Sequence, residues 1–197
     1  MKNIDKYIQD LIRIADNRKT VFAIQATSLG EREREGYFLP IRLSDNTALG
    51  GVCNFDEVES LRYAQYVDGV VDYVAVDCEK KLGVHLGDGK YLTGALDKRV
   101  FELLEKSKQV LIKPNDITVE AIFDLCIDQT TFVSGAKVGI IGVGNIGFKC
   151  ALKLTEAGAE VSLWDRKTSE LNTVATTLNI VKPKGTLATP RPCNTIE

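Results

Sequence analysis

The chain has 197 residues, enough for one ordinary domain or two small ones and too few for a large multidomain machine. A hydrophobic fraction of 44% and a charged fraction of 26% match folded globular proteins and exclude disorder throughout. Lys+Arg 25 against Asp+Glu 27 leaves a formal net charge of −2. That balance lacks the basic excess of a protein built to hold nucleic acid or an anionic membrane, so neither partner is expected.

No stretch approaches the ~18 consecutive apolar residues needed to span a bilayer, and the opening MKNIDKYIQD is too charged for a signal-peptide core. The expectation is a cytoplasmic protein. Cys53, Cys78, Cys126, Cys150 and Cys193 are odd in number, widely spaced and free of any CxxC pair, which predicts reduced thiols and no zinc site. His85 is the sole histidine. A His-based metal cluster is thereby excluded, and a Ser-His or Cys-His nucleophile would depend on that one ring.

In chain order, Ile4, Tyr7, Ile8, Leu11 and Ile12 recur at helical spacing and predict an amphipathic helix over 4–17, followed by a strand at 20–26. Residues 27–36 read as a polar loop. The stretch 36–43 reads as a strand that Pro40 places at a sheet edge. Asp56 predicts an N-cap for a helix through Val58, Leu61, Tyr63 and Tyr66, and 70–78 is β-branched and alternating enough for a strand. Glycines 83, 87, 89 and 94 loosen the next segment. A helix at 96–106, a short buried strand at 109–113 and a helix capped by Asp116, with Ile117, Ala121, Ile122 and Leu125 as its apolar side, complete an α/β alternation. A domain boundary falls near 133/134, giving units 1–133 and 134–197.

The segment after that boundary reads KVGIIGVGNIGFKCALKLTEAGAEVSLWDR. Gly142, Gly144 and Gly147 satisfy G-x-G-x-x-G directly after the apolar run Val138 to Ile141. The first glycine permits the strand-to-helix turn, the second lets backbone approach a pyrophosphate, and the third lets helix pack on strand. The following helix, opening at Asn145 and Ile146, presents N–H groups and its positive dipole end to phosphates. Gly158 closes it.

A second strand at 159–165 ends in Asp165, about twenty residues beyond the glycines, where a carboxylate can accept both ribose hydroxyls. This favours NAD. Arg166 and Lys167 follow, and cations there can instead neutralise a 2′-phosphate, which keeps NADP as the alternative. A methyltransferase-like or nucleotide-sugar fold also uses such a loop, but the close glycine spacing favours a dinucleotide.

These 30 or so residues resemble the Rossmann domain of two-domain NAD(P)-dependent dehydrogenases. The preceding KPNDITVEAIFDLC leading to SGAKVGIIGVGNIG is similar to the organisation of the shikimate, methylenetetrahydrofolate and amino-acid dehydrogenase-like group. In that group a smaller α/β substrate domain comes first and a connecting helix enters the nucleotide domain. The resemblance implies an α/β chain with an N-terminal substrate domain and a C-terminal, partial Rossmann parallel-sheet domain. It implies an oxidoreductase that exchanges hydride with a small polar metabolite at the cleft between the domains. Only about 60 residues follow Gly135, short of two βαβαβ halves. The sequence therefore looks shortened, and the sheet edge left open calls for a homo-oligomer or a partner chain. A non-catalytic dinucleotide-binding or regulatory module, or an inactive fragment, is the competing reading.

Three residues are candidates for proton handling. Lys113 ends a strand beside a helix N-terminus, Asp116 opens that helix, and Asp77 ends another strand next to Glu79, Lys80 and Lys81. A solvated lysine, a helix cap and a polar turn are the structural explanations of the same residues. Thr27, Ser28, Arg32 and Arg34 are candidates for a substrate carboxylate, or an exposed charged loop. Cys53 reads better as a small buried thiol than as a nucleophile. His85 reads as a surface ring, and Trp164 as packing beneath the adenine side.

Overall fold

The computed structural model describes residues 3–26, 36–54, 57–79, 83–85, 91–93, 95–186, 188 and 190–193, with 83–85 and 91–93 described as backbone only. The expected roles of Thr27, Ser28, Arg32, Arg34, Asp56, Lys80 and Lys81 lie outside the described residues, as does the side chain of His85. The chain divides into two compact units between Pro114 and Asn115. The expected boundary at 133/134 falls within the second unit, because the helix before it gives Phe123 and Cys126 to that unit's core.

The first unit opens with helix α1 (Ile4–Ala15), whose Ile4, Ile8, Leu11 and Ala15 form one buried face at intervals of four, three and four. Asn3 caps it by accepting the Lys6 N–H at 3.4 Å. Ile12, expected on that face, is exposed. Strands follow as β1 (Lys19–Ala26), β2 (Tyr37–Phe38), β3 (Arg42–Leu43) and β4 (Thr47–Asn54), then α2 (Glu57–Val67) and β5 (Tyr73–Asp77). The hairpin strands β6 (Gly83–His85) and β7 (Tyr91–Thr93), helix α3 (Leu96–Leu103) and β8 (Lys108–Ile112) complete it. Strands β4, β1, β5 and β8 run parallel in that order, and β2 and β3 pair antiparallel with β4.

Strand β4 carries no sequence-based expectation, yet it pairs with three strands, β1, β2 and β3. Its glycines lower strand propensity and serve close approach instead. A Cβ at Gly50 would stand 2.6 Å from the Tyr7 hydroxyl, and one at Gly51 would stand 2.1 Å from the Ala23 carbonyl oxygen. Tyr7 uses that space. Its hydroxyl donates to the Leu39 carbonyl at 2.6 Å and accepts the Gly51 N–H at 2.8 Å, while its ring stacks on Phe38 at 4.4 Å. Pro40 divides the expected 36–43 strand into β2 and β3, since proline cannot donate to the ladder.

The core lies on one sheet face, where Phe22, Ile24, Val52, Val74 and Val76 meet Leu11, Tyr63, Val67 and Val100. Strand β8 corrects an expectation. Among the described residues it has β5 as its one strand neighbour and stands at the sheet edge, with Val110 and Leu111 exposed rather than buried.

Helix α4 (Pro114–Gln129), whose first residue closes the first unit, opens the second, which continues with β9 (Lys137–Ile141), α5 (Asn145–Glu156), β10 (Glu160–Trp164), α6 (Thr168–Val181) and β11 (Arg191–Pro192). Helix α4 begins at Pro114, whose missing N–H costs nothing at a first helical position, so Asp116 sits within the first turn rather than at the cap. Its inward face is also rotated from the expected one. Val119, Phe123 and Cys126 turn toward the protein, whereas Ile117 and Leu125 are each 62% exposed.

The three strands are parallel in the order β11-β10-β9. Val161 and Leu163 of β10 pack against Ala151 and Leu154 of α5 and Leu171, Ala175 and Leu178 of α6. Asn179 and Lys182 of the α6 end donate to the carbonyls of Pro190 and Ala188 at 2.9 and 2.6 Å, which guides the chain into β11. The opposite face, with Gly139, Ile141, Ser162 and Trp164, lines a cavity of about 300 Å³. Both units are thus α/β, the second a three-stranded Rossmann-like parallel sheet. Among the described residues no helix is long and apolar enough to cross a membrane.

Candidate functional site

The glycine segment joins β9 to α5, and each glycine answers a different demand. Gly142 has φ +91°, a left-handed conformation that a side chain would strain, and its N–H donates to the Trp164 carbonyl at 2.8 Å. Gly147 lies under the turn. A Cβ there would stand 1.9 Å from the Gly142 carbonyl oxygen, so α5 enters beneath the loop at a distance that only glycine allows.

Gly142 and Gly144 differ from Gly147 on their outer side. A Cβ at either would meet no heavy atom within 4 Å. Gly144 is the N-cap of α5, with no side chain capping the helix, so the positive end of α5, beginning at Asn145, Ile146 and Gly147, faces open space. Backbone donors, a helix dipole and room for close approach together make an anion cradle.

Asp165 follows β10 beside this loop. Its Oδ2 accepts the Val143 N–H at 2.7 Å and its Oδ1 accepts the Lys167 N–H at 2.9 Å. These two N–H groups, Lys167 first, hold its carboxyl below the usual carboxylate range, with the Arg166 and Lys167 charges adding to the effect. The acid is therefore held ionised and fixed at the loop's flank. Val143 was not expected in the site, and no sequence signal could reveal it, because it contributes through its backbone.

At the end of α5, Gly158 has φ +87° and donates to the Thr155 carbonyl at 3.0 Å, while the Ala159 N–H reaches Leu154 O at 3.0 Å. This glycine-ended cap matches the expectation and turns the chain into β10. Trp164 lies on the sheet face away from α5 and α6, beside the cavity shared with Gly139 and Ile141.

The proton-handling candidates are distributed between the units. Asp77 ends β5 in the first unit and is 2% exposed. Its Oδ2 accepts the Ala26 N–H at 3.3 Å and its Oδ1 the Glu79 N–H at 2.9 Å, so it bridges the C-terminal ends of β1 and β5. Lys113 comes one residue after Ile112, the register partner of Asp77, and is exposed. Asp116 belongs to the second unit and accepts a charged hydrogen bond from Lys149 of α5 at 2.5 Å. One turn further along both helices, Lys153 pairs with Glu120 and lies 4.7 Å over the Phe123 ring. The matched spacing of four in Asp116/Glu120 and Lys149/Lys153 was the available signal for this pairing.

Cys53 is buried on β4 opposite Tyr37, and the side-chain hydrogen bond between the two pushes the Tyr37 phenol up. Among the described residues no group of three or more His, Cys, Asp or Glu is placed to hold a metal ion.

Residues 126–189 match a family model described as the NAD-binding domain of D-isomer specific 2-hydroxyacid dehydrogenases. This segment, about a third of the chain, runs from the end of α4 through the glycine loop and Asp165 to the approach of β11. It is similar to an NAD-binding dehydrogenase domain, and the match does not extend into residues 1–125. No curated protein matches the chain.

Solved structures with some likeness include the dipicolinate synthase A chain of Bacillus subtilis, at 14% identity and TM-score 0.32, over 88% of this chain and 66% of that one. The catalytic subunit of M. jannaschii aspartate transcarbamoylase follows at 8% and 0.42, over 97% of this chain and 62% of that one. L-tryptophan dehydrogenase from Nostoc punctiforme gives 15% and 0.40, over 89% and 55%. The chain thus spans less than two thirds of the length of each of the three.

Proposed function

We propose that the chain is an NAD(H)-dependent oxidoreductase acting on a small polar metabolite, with the second unit holding the cofactor and the first contributing the substrate site. The observation that carries this reading is the open, uncapped glycine turn flanked by the ionised Asp165, supported by the family match over the same residues. Gly142, Gly144, Asn145, Ile146 and Gly147 form the pyrophosphate cradle, and Asp165 accepts the adenosine ribose hydroxyls. A bound nicotinamide supplies or accepts the hydride. The exposed Arg166 and Lys167 leave NADP as the alternative cofactor.

Lys113 and Asp77, on neighbouring strand ends, are the residues we assign to proton transfer and substrate orientation, with Asp116 as a further candidate. The proposed setting is the cytoplasm, and the proposed assembly is a homo-oligomer or a partner chain that pairs with the β9 edge. A non-catalytic dinucleotide-binding module is favoured by one specific observation: both acidic candidates are already engaged, Asp77 by backbone N–H groups and Asp116 by Lys149.

The test is turnover. Purified chain is followed by NADH absorbance with panels of small 2-hydroxy acids, 2-amino acids and their 2-oxo counterparts, beside a Lys113→Met variant. Turnover lost in the variant supports the oxidoreductase, and cofactor binding without turnover by any panel member supports the non-catalytic module.

A further inference from the structure

The first unit contains a polar cluster that the nucleotide site does not use. It lies where β4 ends and α2 begins, at the carboxyl edge of the parallel strands. Asn54, 1% exposed, donates through Nδ2 to the hydroxyl of Ser60, which is 0% exposed, at 3.3 Å. Ser60 is one turn after Glu57 on the same face of α2, and the Glu57 side chain is 9% exposed with Oε1 accepting Arg99 at 2.6 Å.

Two oxygens in this cluster lack a donor. Asn54 Oδ1 and Glu57 Oε2 are both buried and receive no hydrogen bond among the described residues. A buried acceptor without a donor loses its water and gains nothing in return, at ~1–3 kcal/mol each, so native proteins keep few of them and each calls for an explanation. Gly36 packs its backbone against Asn54 Oδ1 on one side, since a Cβ there would come within 2.0 Å of that oxygen.

We infer that these two oxygens bind the primary ammonium group of a small amine-bearing ligand. An ammonium presents three N–H donors on a compact cation. Two of them would satisfy Asn54 Oδ1 and Glu57 Oε2, and the Glu57 carboxylate would share its one charge between the ammonium at Oε2 and the half-exposed Arg99 at Oε1. A hydroxyl offers one donor and leaves one acceptor unmatched. Because both oxygens are closed to bulk solvent, the head group must be enclosed with them. This site belongs to the first unit and stands or falls separately from the dinucleotide reading of the second.

The experiment is a nuclear magnetic resonance titration of the full chain labelled with ¹⁵N, using methylammonium chloride as the probe against potassium chloride at equal ionic strength and methanol. The expected result is a saturable shift of the Asn54 side-chain amide and the Ser60 N–H with methylammonium alone. In Glu57→Gln and Asn54→Leu, each still folded by its thermal transition, apparent affinity falls by about tenfold or more, the loss expected for one charge-assisted hydrogen bond. An equal response to potassium would overturn the proposal in favour of a simple cation site. No saturable shift would overturn it in favour of an enclosed water, and unchanged affinity in both variants would place the probe elsewhere. Titrating NADH into the same sample, read at Gly142 and Gly144, reports the cofactor reading independently.

Discussion

The Val143 N–H donates to Asp165 Oδ2 at 2.7 Å, so the acid that follows β10 fastens the glycine loop that follows β9. One contact thus links the shape of the loop to the charge expected to receive the ribose, which the Lys167 N–H also holds. Because the folded carboxyl titrates below its ordinary value of 3.8, its contribution to stability is fully present above that value and is lost as pH falls through the lowered one. A carboxyl ¹³C titration should show Asp165 still ionised at a pH where an ordinary aspartate is half protonated. In Asp165→Ala the loop should loosen, visible as faster amide exchange at Val143, and NADH affinity should drop by about tenfold or more.

Two glycines of the same motif should respond in opposite ways. Gly147→Ala brings a Cβ to 1.9 Å from the Gly142 carbonyl, an overpacking expected to cost about 1–3 kcal/mol or more and to lower the thermal midpoint. Gly144→Ala meets nothing within 4 Å and should leave the midpoint within a degree or two. It should weaken cofactor binding instead, because the methyl group occupies the approach to the backbone. Calorimetric melting and binding of both variants check the contrast.

Acid stability should depend on Asp72 in the first unit. Its carboxylate accepts the Thr20 N–H and hydroxyl at 2.9 Å each and pairs with Lys19 at 3.0 Å, and these contacts, the Thr20 N–H foremost, lower it from 3.8 to about 2. The lowered value means that its stabilisation is present above pH 3.8 and lost on the way to about pH 2. Asp72→Asn should therefore flatten the acid limb of a stability-versus-pH curve measured by urea unfolding. An unchanged acid limb would contradict the assignment.

The Lys149–Asp116 pair joins α5 to α4 at 2.5 Å, yet the two side chains are 36% and 43% exposed. Screening limits such pairs, so a double-mutant cycle on Lys149→Met and Asp116→Asn should give a coupling of no more than about 1 kcal/mol. A much larger coupling would mean that Asp116 is structurally committed and unsuited to proton transfer.

Much of the second unit was legible because its signals are local. The alternation of apolar run, three glycines, helix, Gly158 and Asp165 fixes strand, turn, helix, cap and acid within one stretch, and each appears where expected. The first unit was harder. Strand β4 hides behind Gly50 and Gly51, whose use becomes visible only when Tyr7 and Ala23 are brought alongside. The α4 face was misjudged because apolar residues surround that helix. Ile117 and Leu125 fit a helical stripe as well as Val119, Phe123 and Cys126, yet Phe123 and Cys126 pack on the second unit's core and Val119 is buried. The Asn54–Ser60–Glu57–Arg99 cluster joins a strand end, one helix and another some forty residues on, which no short motif encodes.

The central claim is that the second unit binds NAD(H) on its glycine loop. Its most direct test is calorimetric titration of the wild-type chain and Gly144→Asp with NADH and NADPH in parallel. Aspartate is a favourable N-cap and its Cβ would meet no heavy atom within 4 Å at this position, so the variant should remain folded while its charge and bulk exclude a pyrophosphate. The account predicts saturable NADH binding by the wild type, weaker NADPH binding, and neither in Gly144→Asp at an unchanged thermal midpoint. Absence of binding by the wild type, or equal binding by the variant, would contradict it.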